Sequence, residues 1–284
     1  MKKYKFGFLI LHYYAIDETI NCVNSIKEMI NTTNYVIVIV DNNSLNGTGK
    51  ILKDKYKDDE NVIVILNKTN LGFSGGNNVG FMKLKELKCD FIVMTNNYVL
   101  FLTKNFDKKI IEEYKDSKFA VMGPKIYDIN DNLTFSNKSV TNIKKIKKDL
   151  VFLHICLMLT RLHLIKLFIK KNENNVIDID EAQKKHFDVV LHGCCWIFSD
   201  IYITKFDGID NKTFLYGEED LLYIRLKKNN LISVYNPEIS IKHLEDVSTN
   251  LSEKNFYEKK KKMYKNLIFA SKVLLKEMEN YNNE

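Results

Sequence analysis

A chain of 284 residues with 45% hydrophobic content can bury one sizeable core, and its prolines, Pro124 and Pro237, mark no low-complexity linker, so a single α/β domain carrying an insertion fits best. Lys and Arg number 43 against 36 Asp and Glu, a formal charge of +7 that favours anionic partners; the charge is spread and no RNA or DNA motif accompanies it, which sets nucleic acid aside and leaves nucleotides and anionic lipids. The cysteines Cys22, Cys89, Cys156, Cys194 and Cys195 follow neither a disulfide framework nor metal-ligand spacing, and Met1-Lys2-Lys3-Tyr4-Lys5 lacks the apolar segment of a signal peptide, so a reducing, cytoplasmic location is expected.

From the N-terminus, apolar runs alternate with amphipathic stretches. Residues 6–13 read as a strand, 17–30 as a helix and 36–40 as a strand. A helix over 47–56, a strand over 61–66, a helix over 75–87 and a strand over 90–95 follow. Short continuous β-branched runs predict a mostly parallel sheet covered on both faces. Ligands of such sheets sit beyond the carboxyl ends of the strands, and Asp41 stands at such an end, in an acidic Asn-rich turn. A carboxylate there can accept hydrogen bonds from a base or ribose. The glycine-asparagine loop over 70–80 lets backbone amides approach phosphates closely. Asp41 has a second reading, as an Asx turn or helix cap before Gly47, a role open also to Asn43 and Ser44.

Residues 128–188 break the rhythm. They are rich in Lys and Asn, and an apolar run over 150–160 is flanked by Lys144, Lys145, Lys147, Lys148, Arg161, Lys166, Lys170 and Lys171. A membrane-spanning helix needs about 20 mostly apolar residues, and Arg161, His163 and Lys166 close this run early, so no span is expected. Leu157, Leu162, Leu164, Leu167 and Phe168 can form the apolar face of a helix lying in the headgroup plane. A core-packed helix with a solvated basic face accounts for the same pattern.

Further on, the segment from His192 to Phe198 reads as a strand whose paired cysteines pack rather than ligate, since adjacent thiolates cannot comfortably share one tetrahedral metal. Phe206-Asp207-Gly208-Ile209-Asp210 is a turn in which Gly208 supplies an unusual backbone angle. Glu218, Glu219 and Asp220 begin a helix, where acids suit the positive end of the macrodipole. His243 follows a strand over 232–235 and a turn at Pro237. From Ser252 the chain reads as a helix with Phe256, Tyr257, Met263, Tyr264, Leu267, Ile268, Val273 and Leu274 on an apolar face; Lys259 to Lys262 form a solvated face that can attract an anionic bilayer, at about 1 kcal/mol per Lys.

The Asp41 strand end, the 70–80 loop and the later acidic stretch occur in the order found in family 2 glycosyltransferases, and the sequence resembles that family, of rhamnosyltransferase or capsular-polysaccharide type, over about residues 5–250. The resemblance implies the GT-A fold, a Rossmann-like nucleotide-diphospho-sugar transferase. Its expected parts are a donor part over 1–127, a helical basic insertion over 128–188, an acceptor and catalytic part over 189–250 and a C-terminal helix over 251–284. It implies inverting transfer from a nucleotide-diphosphate donor, a UDP- or dTDP-sugar, to a glycan or lipid-linked acceptor in surface polysaccharide synthesis. Such an acceptor would be reached at the inner face of the cell membrane.

By the same resemblance Leu11, His12 and Tyr13 wall the base pocket, His12 having a plain reading as a strand-end histidine. Asp41 reads base or ribose, with Asn43, Asn70, Gly72, Phe73, Gly76, Asn78 and Asn96 completing the nucleotide site. Glu219 falls at the catalytic base when counted back from Arg225, and Asp220 when the Glu-Asp pair is matched; Glu219 is preferred. Glu218 and Trp196 stand on the acceptor side, where Trp196 either stacks on a sugar or fills the core. Asn96-Asn97-Tyr98 occupies the place of a D-x-D-like or N-N-D stretch whose last carboxylate ligates Mn or Mg. A phenol, with an ordinary pKa of about 10, is a poor ligand for such hard cations. Other groups then hold the metal, with His243 reaching metal or diphosphate; or Lys, Arg or His neutralise the diphosphate; or the protein is a catalytically impaired nucleotide-sugar-binding or complex-forming homologue.

Overall fold

The run YVIVIVD is apolar up to its last residue, a pattern stable only where both faces of a strand are covered. In the computed structural model, which describes residues 3–134, 142–167, 179–244 and 255–283, this run is β2 (Tyr35–Asp41). It pairs in parallel with β1 (Phe6–His12) on one side and β3 (Val62–Leu66) on the other. β4 (Phe91–Asn96) adds to β1, also in parallel. The sheet then turns mixed. β9 (Cys195–Ser199) lies antiparallel between β4 and β6 (Val121–Tyr127), and β10 (Ser233–His243) runs parallel to β6 and antiparallel to β5 (Val99–Phe101). The order is β3-β2-β1-β4-β9-β6-β10-β5, with β7 (Leu133–Thr134) on β6 and β8 (His186–Phe187) on β10.

Side chains alternate between the two faces, as the period of a strand demands. Phe6, Phe8 and Ile10 pack with Val23 and Ile26 of α1 (Ile16–Met29) and Phe106 of α4 (Phe106–Ser117). Leu9 packs on the other face with Phe81 and Leu84 of α3 (Gly72–Glu86), together with Trp196 and Phe198 of β9 and Tyr202 of α7 (Asp200–Lys205). α2 (Thr48–Lys55) covers the first face through Leu52. Fully burying each such side chain is worth about 2–3 kcal/mol. α3 starts at Gly72 rather than Gly75, because Asn70 Oδ1 accepts from the Gly72 amide at 2.9 Å and closes the turn ahead of the helix.

Pro237 does not end its strand. β10 continues through it to His243 with a register shift between Asn236 and Ser240, so the residue without an N–H sits in the irregularity. Within it the Glu238 amide donates to Asn236 Oδ1 at 2.9 Å, and the Ser240 amide to Thr103 Oγ1 at 2.9 Å.

The insertion forms α5 (Ile143–Arg161), capped by Asn142, and a short α6 (Ile179–Ala182). α5 packs on α9 (Phe256–Asn283) through Cys156 and Leu157 against Tyr264 and Ile268. Ile146 reaches Leu274, Met278 and residues Leu221 and Ile224 of α8 (Glu218–Lys228). Leu157, expected on a headgroup face, is thus buried, while Leu162, Leu164 and Leu167 are exposed. Phe168, Lys170, Lys171, Glu245, Asp246 and Ser252 lie outside the described residues. Among the described residues no helix is long and apolar enough to cross a membrane.

Candidate active site

The in-register parallel pairing of β1 with β2 and β4 sets His12 opposite Asp41 and Leu11 opposite Asn96, so three strand ends meet at one edge. A pocket opens there. Leu11 and Tyr13 line it from the end of β1, Asn42 from the end of β2, Asn70, Gly72 and Phe73 from the start of α3, and Asn96, Asn97 and Tyr98 from the end of β4. Phe214, Leu215 and Tyr216, before α8, and Lys259, Lys262, Met263 and Asn266 of α9 close it.

Asn42, unnoticed beside Asp41 in the sequence, is the hub of the floor. Its amide donates to Asn70 Oδ1 and to the Gly72 carbonyl, both at 3.0 Å, and its Oδ1 accepts from the Leu71 amide at 3.0 Å. The Phe73 amide donates to the Phe214 carbonyl at 2.8 Å. A Cβ on Gly72, whose φ is +75°, would come within 2.3 Å of that same carbonyl oxygen, so only glycine allows the donor loop and the 214–216 loop to meet.

Several expected nucleotide contacts prove to be braces. His12 is fully buried, with Nδ1 2.7 Å from Thr19 Oγ1 and Nε2 2.9 Å from Thr48 Oγ1. Burial pushes it down to about 4, so it is a neutral tie between α1 and α2 and not a pocket wall. Asp41 is also buried: its oxygens accept from the Ser44 amide at 3.2 and 3.3 Å, and Gly49 packs against its carboxylate. That is the turn reading of Asp41; it does not line the pocket. Burial raises its carboxyl, opposed by the Ser44 hydrogen bonds. Asn43 is half-buried in the left-handed region, at φ 63°, and also stands outside the lining. Gly76 lies inside α3, where a Cβ would meet Leu11 and Asn42. Asn78 exchanges two hydrogen bonds of 2.9 Å with the backbone of Ile209. It thereby staples the turn where Gly208 takes φ +146°. Arg225 completes that staple, donating to the Gly208 carbonyl at 2.8 Å.

Asn97 borders the pocket, yet its amide donates to the Ala15 carbonyl and Thr19 Oγ1, both at 3.0 Å, tying β4 to α1. Asn96 donates to the Tyr98 hydroxyl at 3.2 Å. The Tyr98 ring lies 5.1 Å from that of His243, which the β10–β5 register sets opposite Val99. His243 Nε2 is buried with no hydrogen-bond partner, and burial, with His192 beside it, lowers the imidazole to about 4. The imidazole is therefore neutral near pH 7, and His243 stands outside the pocket lining. A divalent cation does not fit this donor set: the lining side chains offer amides, the phenols of Tyr13, Tyr98 and Tyr216 and two lysine ammonium groups, but no carboxylate. Among the described residues no group of three or more His, Cys, Asp or Glu could hold a metal ion.

At the start of α8, Glu219 Oε1 accepts from the Gly193 amide at 2.7 Å and lies 3.9 Å from His192 Nδ1. That fixes one carboxylate at the edge of β9. Asp220 is half-buried in the same turn. Glu218 is buried, its Oε1 without a hydrogen-bond partner, and its carboxyl is pushed up to about 7, mainly by burial and further by Glu219. Glu218 does not line the pocket. Trp196 is also outside the lining: it is fully buried, donates from Nε1 to the Leu191 carbonyl at 3.3 Å and stands edge-on behind Phe73 at 6.3 Å. It is core. Cys194 and Cys195 are buried as well, and burial pushes the Cys195 thiol up to about 12, in keeping with packing.

A comparison with protein families matches residues 9–177 to the one described as glycosyl transferase family 2. No curated protein matches the sequence. Among solved structures, residues 1–349 of S. aureus TarS in complex with UDP superpose with a TM-score of 0.55 at 14% identity, covering 94% of this chain and 72% of that one. The same TarS segment without UDP gives 0.54 at 14% identity, with coverage of 94% and 72%. A further TarS structure gives 0.55 at 14%, over 90% of this chain and 41% of that one. At such identity the likeness is one of fold, the GT-A arrangement of a mostly parallel sheet flanked by helices. The family match takes in more than half of the 284 residues, and the chain belongs to glycosyl transferase family 2.

Proposed function

We propose that this glycosyltransferase moves a sugar, with inversion, from a UDP- or dTDP-sugar to a hydroxyl of a glycan or lipid-linked acceptor in surface polysaccharide synthesis. The observation that carries the reading is the Glu219 carboxylate, held at 2.7 Å by the Gly193 amide in a helix whose preceding loop lines the pocket. In this reading Glu219 takes the proton of the acceptor hydroxyl as its oxygen attacks the anomeric carbon, and the bond to the diphosphate breaks on the opposite face with its electron pair leaving on phosphate oxygen. Glu219 is preferred to Asp220 by the count back from Arg225, and the Gly193 amide orients its carboxylate. Leu11, Tyr13, Asn70, Gly72, Phe73 and Asn96 form the nucleotide side, and Asn42 holds that side together. Residues 1–127 thus carry the donor part and 189–250 the catalytic part. UDP bound in TarS, a protein of the same fold, supports a uridine donor. The exposed apolar stripe of α5, beside basic residues, supports work at an anionic membrane surface.

The test is a panel of UDP-, dTDP-, GDP- and CMP-sugars, scored for thermal stabilisation and for slow hydrolysis. A UDP- or dTDP-sugar should stabilise and turn over. Glu219→Gln should lose turnover by about 100-fold or more while keeping the stabilisation. Binding with no turnover, or full activity in the Gln variant, sinks the catalytic assignment; no binding across the panel sinks the donor reading.

A further inference from the structure

The lysines of the C-terminal helix were expected on a solvated face, yet two of them turn into the pocket. Lys259, Lys262, Met263 and Asn266 follow the spacing of one helical face, and all four line the cavity. Lys259 is half-buried and Lys262 stands exposed at the rim. They are the charged residues among those lining the pocket, which has no Asp or Glu in its wall. Ammonium groups in such a wall can donate to phosphate oxygens, whereas the wall offers a divalent cation no carboxylate. On the same wall, Tyr98 contributes a phenol, a poor ligand for a hard cation.

The helix is fixed where these lysines need it. Tyr264 and Ile268 are buried against α5, Leu274 and Met278 against α5 and α8. Further along, Glu277 accepts from Lys212 Nζ at 2.8 Å. The two lysines are therefore carried on a packed element rather than on a loose tail.

We propose that Lys259 and Lys262 neutralise the diphosphate of the donor in place of a divalent cation, which makes α9 part of the donor site. The proposal rests on the donor reading given above. In the transfer step the bond between the anomeric carbon and the diphosphate oxygen breaks, the electron pair stays on that oxygen, and the two ammonium groups meet the developing charge through hydrogen bonds. No proton need pass to the leaving group, and neither lysine changes its charge.

The experiment is calorimetric titration of the full chain with UDP, dTDP and GDP, and with the matching nucleosides, in EDTA and in Mn²⁺. For the wild type the diphosphate should bind equally in both, within about 2-fold. Lys259→Ala/Lys262→Ala should weaken the diphosphate by about 30-fold or more, because charge-assisted hydrogen bonds are lost, and leave the nucleoside within about 3-fold. Lys259→Arg/Lys262→Arg keeps the charge and should restore most of the affinity, which separates loss of charge from loss of fold. Tightening by Mn²⁺ of more than about 10-fold, equivalent to about 1.4 kcal/mol, overturns the proposal and leaves the donor reading standing. Unchanged diphosphate affinity in the double alanine variant does the same. If no diphosphate and no nucleoside binds, the donor reading falls and this proposal with it.

Discussion

Glu218 and Glu219 are chain neighbours in opposite surroundings, and the difference is measurable. Glu219 is held by a backbone amide, whereas Glu218 is buried with one oxygen lacking a partner, so its carboxyl rises to about 7. In the unfolded chain the same group loses its proton near 4.5. Between those values the folded state holds more protons than the unfolded one, so this group's contribution to stability falls as pH rises from about 4.5 to about 7 and is level beyond. Glu218→Gln removes the titration. The stability of the variant minus that of the wild type should grow across that window by on the order of 1–3 kcal/mol, read by urea denaturation at a series of pH values. A difference that stays flat with pH refutes the assignment. At this scale the sequence was most legible where a residue type has few uses: Gly208 at its turn, the paired cysteines in the core. Polar residues at strand ends were least legible, since His12, Asp41 and Asn97 suit a pocket or a brace equally. What decides is their partners, Thr19, Thr48, Ser44 and Ala15, and the sequence does not say which of these lie near.

Among the elements, α5 leaves an unsatisfied face. Leu157 and Cys156 bury against α9, but Val151 and Phe152 are both 63% exposed, and Ile155, Met158 and Leu162 continue the same exposed stripe at helical spacing. Lys144, Lys145, Lys148 and Arg161 lie along the same helix. An apolar stripe bordered by cations suits the interface of an anionic bilayer. The chain should therefore sediment with phosphatidylglycerol-containing vesicles and not with phosphatidylcholine alone. Val151→Glu/Ile155→Glu/Met158→Glu should reduce the bound fraction by about 10-fold or more, each exposed apolar group lost removing roughly 1 kcal/mol. Equal binding to both vesicle types, or by the triple variant, sinks the idea. The sequence showed an apolar run with basic flanks but left two faces possible, because which side of a helix is covered depends on its neighbour. The same ambiguity hid α9: its lysines read as solvated until packing against α5 and α8 fixed the rotation that turns Lys259 and Lys262 to the pocket.

For the whole molecule, the first hundred residues were legible as alternating elements because each buried strand carries its own pattern, and Leu11, Tyr13, Asn70, Gly72, Phe73 and Asn96 to Tyr98 of the pocket wall were legible with them, whereas the 214–216 loop and α9 were not. The wall is gathered from the ends of β1, β2 and β4, the 214–216 loop and α9, segments far apart in the chain whose meeting is a property of the sheet order. That dispersion has a consequence for ligand linkage. A ligand that binds only the folded state stabilises it by about 2.7 kcal/mol at 100 times its Kd, and the gain appears as slowed opening wherever the ligand bridges otherwise separable parts. UDP should therefore slow hydrogen exchange together at 11–13, 70–73, 96–98, 214–216 and 259–266, and the protection over 259–266 should vanish in the Lys259→Ala/Lys262→Ala variant while that at 11–13 is kept at saturating ligand. Protection confined to residues before 100 would mean that α9 and the 214–216 loop stand beside the donor without holding it. Joint protection would mean that donor binding locks the C-terminal helix onto the sheet. α5 packs on that helix through Cys156 and Leu157, so the same event would steady α5 and its exposed apolar stripe, coupling donor occupancy to the element that the vesicle experiment tests.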